Sequence, residues 1–244
     1  KQANVPDGAT VVEGDVRDPT ALVEAMVGAD VVFHEAGLVS VPRSVEDPER
    51  SHAVNATGTL RLLERARAED ARVVLASSVA IYGQPKRVPI REDHPKRPTS
   101  PYGLDKLALD HYARIYAERY GVETVALRYF NIYGPRQSSG AYSGVVSTFL
   151  DQARNGDPLT VEGSGEQTRD FVHVNDVVRA NLAAARTDHV GEAFNVGTGQ
   201  SVTIRELAEV VRDVTDADVG VVHTEGRESD VERSRADITR ARPL

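Results

Sequence analysis

Residues 72–78 read Arg72-Val73-Val74-Leu75-Ala76-Ser77-Ser78, a run of apolar residues that ends on two hydroxyls. The run does not alternate with polar residues, so it reads as a strand buried on both faces, the habit of parallel sheets. Downstream, Ser100 to Tyr120 predicts a helix with Ser100 as N-cap and Pro101 at its first position. Glu123 to Leu127 (ETVAL) follows as another strand. Upstream, Asp47 to Ala68 carries helical apolar spacing, Asp30 to His34 (DVVFH) is a strand, Pro19 to Val27 a helix and Thr10-Val11-Val12 a strand. Apolar strands separated by helices predict an α/β fold with a doubly wound parallel sheet. After Gly134-Pro135 the rhythm loosens. Val145–Asn155, Val174–Arg186 and Thr203–Val214 read as helices, and Ala193–Val196 as a strand. The last helix places Ile204, Leu207, Ala208 and Val211 on one face. Residues 157–169 read as a loop with a short strand, and this second part as a smaller lobe.

The 244 residues are 40% hydrophobic and 27% charged, enough to bury a core. The absence of cysteine excludes disulfides, thiolate metal sites and cysteine nucleophiles. A net charge of −8 without a basic stripe argues against nucleic acid as a partner. No apolar run reaches membrane-spanning length and no secretory signal is visible, so the expectation is a cytoplasmic protein without a membrane partner.

The strongest chemical signal is Tyr102-Gly103-Leu104-Asp105-Lys106. Positions i and i+4 share a helix face, so phenol and ammonium become neighbours. The cation is expected to lower the phenol's pKa and make Tyr102 a usable general base. Eight tyrosines and four lysines give about 0.13 such pairs by chance, and alone the pair reads equally as an ordinary helix-surface pair. Ser77-Ser78 stands at the C-terminal end of its strand, where open parallel sheets place their sites. Followed by the Tyr/Lys pair, it becomes a hydroxyl aimed at a reacting oxygen rather than a mere strand end. Asp15, in Gly14-Asp15-Val16-Arg17-Asp18, reads as a strand-end acid for an adenine amino group, while Asp18 reads as an N-cap before Pro19. Ala36-Gly37, after His34-Glu35, lets a backbone approach a bulky ligand; His34 reads as a packing residue. Asn55 reads also as a buried amide that pins strand ends.

In this order the motifs resemble the extended short-chain dehydrogenase/reductase superfamily, within it the NAD-dependent nucleotide-sugar epimerase/dehydratase family, and most of all its UDP-glucose (UDP-galactose) 4-epimerases. Further matches are Leu127-Arg128-Tyr129-Phe130-Asn131-Ile132-Tyr133-Gly134-Pro135-Arg136, Gln167 through Asp176 (QTRDFVHVND) and Phe194-Asn195-Val196-Gly197. The resemblance covers essentially the whole chain. It implies a Rossmann-like NAD-binding domain over 1–134, with 171–196 returning to it, and a substrate-binding lobe from 135–170 and 197–244. The family also carries a glycine-rich βαβ unit of about 30 residues or more ahead of the first strand seen here and a tail after the position of Ile238, and the expectation is that these 244 residues contain neither.

By the same resemblance the cofactor is NAD, touched by Asp15, Val16, Ala36, Gly37, Asn55, Ser77, Tyr102, Lys106 and Tyr129. Tyr102 is the catalytic base, Lys106 holds the nicotinamide ribose, and Ser78 bonds the sugar hydroxyl. Asn131, Arg169, Arg227, Asp230 and Ser234 line the nucleotide-diphosphate sugar, with no metal involved. Glu162 departs from relatives that carry a base-stacking aromatic there. The implied reaction is 4-epimerisation of a UDP-sugar through a 4-keto intermediate, UDP-glucose/UDP-galactose and also the N-acetylated pair. A dehydratase, a decarboxylase, a reductase or a non-catalytic NAD-sensing protein of the same fold are the alternatives. A homodimer is expected from the helices at 47–68 and 100–120, with Leu104, Leu107, Ala108 and Ala113 as surplus apolar positions.

Overall fold

The structure, a computed structural model, describes residues 4–137, 144–226 and 231–244. The first half runs α1 (Pro19–Met26), β1 (Val31–His34), α2 (Val41–Glu46) and α3 (Pro48–His52). A π-helical segment, Ala53–Thr57, leads without a break into α4 (Gly58–Glu69). Then come β2 (Arg72–Ser78), a 3₁₀ turn (Val79–Tyr82), α5 (Pro101–Tyr120), β3 (Thr124–Tyr129) and β4 (Asn131–Tyr133). The second half adds α6 (Val145–Asn155), β5 (Leu159–Glu162), β6 (Thr168–Arg169), β7 (Phe171–His173) and α7 (Val174–Ala184). It ends with β8 (Glu192–Val196), β9 (Val202–Thr203), α8 (Ile204–Thr215) and β10 (Val221–Thr224).

Strands β1, β2, β3 and β8 form one parallel sheet in that order. On one face Leu22, Met26, Leu62, Leu63 and Tyr116, from α1, α4 and α5, bury Val73, Leu75 and Ala126. On the other, Val177 and Ala184 of α7 cover Val74, Val125 and Leu127. Both faces of β2 and β3 are therefore dry, which explains the unbroken apolar run of β2, whereas Val31 and Phe33 of β1 are exposed. A separate core joins Phe149 and Ala153 of α6 to Leu159 and Val161 of β5 and to Ile204, Ala208 and Val211 of α8. Leu207 packs against it, so the apolar face expected for α8 is the one it buries.

Three expectations are corrected. Thr10-Val11-Val12 is not a strand: Thr10 and Val11 are exposed, and the segment has no ladder among the described residues. Without a neighbouring strand its backbone groups gain nothing from an extended pairing geometry. The polar stretch after 157 holds two strands, β5 and β6, and Val221–Thr224 is a further one, paired in parallel with β5. Of the four apolar positions read as surplus on α5, Ala113 lies in the sheet core and Leu107 packs on the Ile81–Tyr82 cluster, whereas Leu104 is exposed.

Helix α5 carries the Tyr/Lys pair, and its placement follows from local chemistry. The Ser100 hydroxyl accepts the Gly103 amide at 3.1 Å, Pro101 opens the first turn, and Gly121 closes the helix at φ +71°. Gly103 is required by close approach, because a Cβ there would lie 2.8 Å from the Ala80 carbonyl. Its absence lets the start of α5 press on the 3₁₀ turn that follows Ser78. Farther along, Asp110 takes Arg128 Nε of β3 at 2.7 Å, a buried ion pair that fixes helix against sheet.

Candidate active site

The C-terminal ends of β1, β2 and β3 converge. His34 is in register with Leu75, and Ser78 with Tyr129. Ser77, Ser78, Tyr129, Ala36 and Gly37 thus gather at one edge, with Tyr102 and Lys106 above β2. Lys106 is 3% exposed, and its Nζ donates to the Ala76 carbonyl at 2.6 Å. That nitrogen lies 5.9 Å from the centre of the Tyr102 ring. The Tyr102 amide donates to Ser44 Oγ of α2 at 3.1 Å, so a residue the sequence did not single out anchors the base.

The electrostatics differ from the sequence expectation. Burial lowers Lys106 to about 8, against the opposing pull of Glu35, Asp105 and Asp110. Burial raises the Tyr102 phenol above its ordinary value, and a hydrogen bond with Ser78 pulls the other way. The expected lowering of Tyr102 by Lys106 is not found: burial raises the phenol and the opposing pull comes from Ser78, so spacing gave the pair but not its dielectric surroundings. Burial likewise pulls His34 down to about 4, helped by Lys106. His34 Nε2 meets Thr59 Oγ1 at 2.9 Å, while that hydroxyl donates to the Asn55 carbonyl at 2.6 Å. His34 is thus a neutral packing residue.

Tyr129 donates to Glu35 Oε1 at 2.8 Å and accepts Asn181 Nδ2 at 2.8 Å, and burial drives its phenol upward. Glu35 is open to solvent, yet the protein around its carboxyl raises its pKa, opposed by Tyr129 and Lys106. Asn55 sits in the π-helical segment, a feature frequent at functional sites. Its Oδ1 accepts the Leu38 amide at 2.8 Å and its Nδ2 donates to the Leu38 carbonyl at 3.1 Å. It is a buried amide as expected, but what it pins is the loop after β1 rather than a strand end. A Cβ on Gly37 would fall 2.9 Å from Asn55 Oδ1 and 3.7 Å from Lys106 Nζ, so only glycine fits there.

A second group forms around Asp170, a residue of the 167–176 stretch. Its fully buried carboxylate accepts Thr198 N at 2.8 Å, Thr198 Oγ1 at 2.7 Å, Gly199 N at 3.0 Å and Ala236 N at 3.0 Å. Its carbonyl accepts both the amide and the Nδ2 of Asn131, at 3.0 and 3.1 Å. Arg169 Nη1 reaches the carbonyls of Thr168, at 2.9 Å, and Val231. Ser234 is buried, held by its amide to the Thr168 carbonyl at 3.1 Å, with its hydroxyl unpaired. Arg227 and Asp230 lie outside the described residues. Asp15 and Val16 stand apart, on the loop before α1. The Asp15 carboxylate is forked by Arg17 Nε and Nη2 at 2.9 and 2.7 Å, which lowers it to about 2. Val16 packs on Gly58 of α4. No cluster of three or more metal-ligating side chains occurs among the described residues.

Fit to a dinucleotide can be judged on these residues. The crowded Gly37 backbone, the unpaired buried hydroxyl of Ser77 and the Lys106 ammonium suit a ribose and its adjoining ring. The glycine-rich turn that holds a pyrophosphate is not part of these 244 residues.

A parallel sheet with Ser78, Tyr102 and Lys106 at its C-terminal edge is the arrangement expected from the resemblance to short-chain dehydrogenases/reductases. The model of the NAD dependent epimerase/dehydratase family matches residues 1–197, and the chain belongs to that family. A putative UDP-glucose 4-epimerase of Methanocaldococcus jannaschii is 38% identical over 99% of this chain and 79% of its own length. Among solved structures, UDP-glucose 4-epimerase of Thermotoga maritima with UDP-glucose superposes with TM-score 0.95 at 35% identity, covering 100% of this chain and 80% of that one. That of Thermus thermophilus with NAD gives 0.92 at 36% identity, over 99% and 80%. UDP-N-acetylglucosamine 4-epimerase of Methanobrevibacter ruminantium, in complex with UDP-N-acetylmuramic acid, gives 0.93 at 35% identity, over 97% and 77%.

Proposed function

We infer that the protein catalyses NAD-dependent 4-epimerisation of a UDP-sugar, interconverting UDP-glucose and UDP-galactose through a 4-keto sugar. The observation that carries this reading is the meeting of Ser78, Tyr102 and Lys106 at the C-terminal edge of β2, in a chain of the epimerase/dehydratase family. The chemistry that bound NAD would supply is reversible acceptance of the sugar's C4 hydride, with its return to the opposite face of the sugar. Tyr102 takes the proton of the sugar 4-hydroxyl and gives it back, Ser78 orients that hydroxyl, and Lys106 holds the nicotinamide ribose. Ala36, Gly37, Asn55, Ser77 and Tyr129 form the cofactor's wall on the sheet side, and Asp15 and Val16 receive its adenine. Asn131, Arg169, Arg227 and Asp230 hold the nucleotide diphosphate; arginine suits it because its planar fork matches phosphate oxygens.

The positions after Ser78 are Val79 and Ala80, which carry no proton-transferring group. A dehydratase needs an acid pair there to eliminate water, and a decarboxylase a glutamate. This favours epimerisation over both, and retention of Tyr102 and Lys106 favours an enzyme over an NAD sensor. Supplying the full-length protein with UDP-glucose is expected to yield UDP-galactose; a 4-keto-6-deoxy sugar or a pentose would overturn the reading.

Three finer readings go with it. The N-acetylated sugars are also substrates, because a small serine at 234 leaves room beside C2 and its unpaired hydroxyl suits an amide. The protein acts as a homodimer through α4 and α5, where Leu104 is exposed. It works in the cytoplasm; among the described residues no helix is long and apolar enough to cross a membrane.

A further inference from the structure

The pentapeptide that carries the pair contains a residue to which the proposed chemistry gives no role. Asp105 precedes Lys106 and is 3% exposed. Its Oδ2 accepts the Ser51 hydroxyl at 2.7 Å, and its Oδ1 lies 3.0 Å from His52 Nδ1. Ser51 Oγ in turn accepts Asn55 Nδ2 at 3.3 Å, and Asn55 clamps Leu38 through both its amide and its carbonyl. Leu38 follows Gly37, whose backbone stands against Lys106 Nζ. The chain of contacts leaves α5 at Asp105, crosses the end of α3 and the π-helical segment, and returns to Lys106 from the β1 side.

We propose that Asp105 is a positioning residue for the Tyr102–Lys106 pair, tethering α5 to the Gly37–Leu38 loop and keeping the Lys106 ammonium charged. The proposal rests on the epimerase reading above. A buried lysine is inclined to lose its proton, and a nearby buried carboxylate opposes that loss. The titratable groups that interact with Lys106 are Glu35 and His34 from β1 and its following loop, and Tyr102, Asp105 and Asp110 from α5. Glu35, the strongest of these pulls, is engaged by the Tyr129 hydroxyl and Asp110 by Arg128, whereas the other partners of the buried Asp105 carboxylate are a neutral hydroxyl and an imidazole. Burial holds Lys106 at about 8, and Asp105 is among the charges that keep it from falling further.

The test follows epimerisation of UDP-glucose by the full-length protein from about pH 6 to 10. Asp105→Asn keeps the shape and an acceptor for Ser51 but removes the charge. It is expected to lower kcat about tenfold and to move the alkaline limb about one unit towards acid, with KM for UDP-glucose and bound NAD unchanged. Wild-type kcat and an unmoved limb would overturn the charge role. Ser51→Ala leaves the carboxylate in place and cuts the tether. It is expected to lower kcat about threefold with the limb unmoved, and wild-type kcat would overturn the tether even if the Asn variant does not fold. Tyr102→Phe is run alongside: if it is inactive while Asp105→Asn is normal, this inference fails alone; if it is active, the epimerase reading fails.

Discussion

Two buried carboxylates, Asp105 and Asp170, mark opposite halves of the molecule and are held in opposite ways. Asp170 accepts four hydrogen bonds, all from neutral donors: three backbone amides and the Thr198 hydroxyl. Its surroundings fix it as a scaffold that ties β4, the turn at 198–199 and the strand-like segment at 236. Asp105 lies instead among titratable groups, close to Lys106 and Tyr102, whose pKa values burial has displaced. Perturbed titratable groups gathered at one sheet edge mark a site of proton transfer, while a satisfied carboxylate without a cation marks architecture.

The contrast breaks most visibly at Tyr102. Tyr102→Phe is expected to lower kcat by about 10²–10⁴ while Tm and bound NAD stay near wild type, measured by a coupled epimerase assay and calorimetry. A matching loss of stability would move Tyr102 to the architectural side of the comparison.

His34 tests the catalytic half by acid. Its folded pKa of about 4 lies below its ordinary 6.5, so the unfolded chain binds the proton first. The stability tied to neutral His34 is complete above pH 6.5 and is lost as pH falls towards 4. The cost reaches about 3 kcal/mol, and His34→Gln, which keeps a donor for Thr59, is expected to flatten that limb of the urea-unfolding profile. An unchanged limb would place the acid loss elsewhere.

In the other half, Asp170→Asn replaces one oxygen by a donor facing the Gly199 and Ala236 amides. It is expected to cost about 2 kcal/mol in urea unfolding and to leave the pH profile of kcat in place. A shifted profile would make Asp170 a functional group rather than a scaffold. The smallest effect is at Ser234: Ser234→Tyr is expected to lower kcat/KM for UDP-N-acetylglucosamine about tenfold relative to UDP-glucose. Retained N-acetyl activity would show that this buried position does not border the sugar.

The sheet and the catalytic helix were legible because their signals are local. The apolar run of β2, the Ser100-Pro101 start and the Gly121 stop each act within a few residues. Thr10–Val12 misled because strand propensity is not a strand without a partner. The π-helical turn at Ala53–Thr57 escaped because it lies inside a stretch of continuous helical apolar spacing, and the bond of its Asn55 to Leu38 is a tertiary contact that no periodicity records. Asp170 was visible only as a letter in a motif, since its donors come from 198, 199 and 236. The direction of the Tyr102 shift was misread for the same reason: i+4 spacing shows the neighbour, whereas burial is a tertiary property.

The central claim, that C4 is oxidised and re-reduced within one site, is tested most directly by isotope. UDP-glucose deuterated at C4 is incubated with the full-length protein in ordinary water, and the product is read by NMR. The account predicts UDP-galactose that keeps deuterium at C4. Deuterium lost to solvent, or left on a released reduced cofactor, would contradict it.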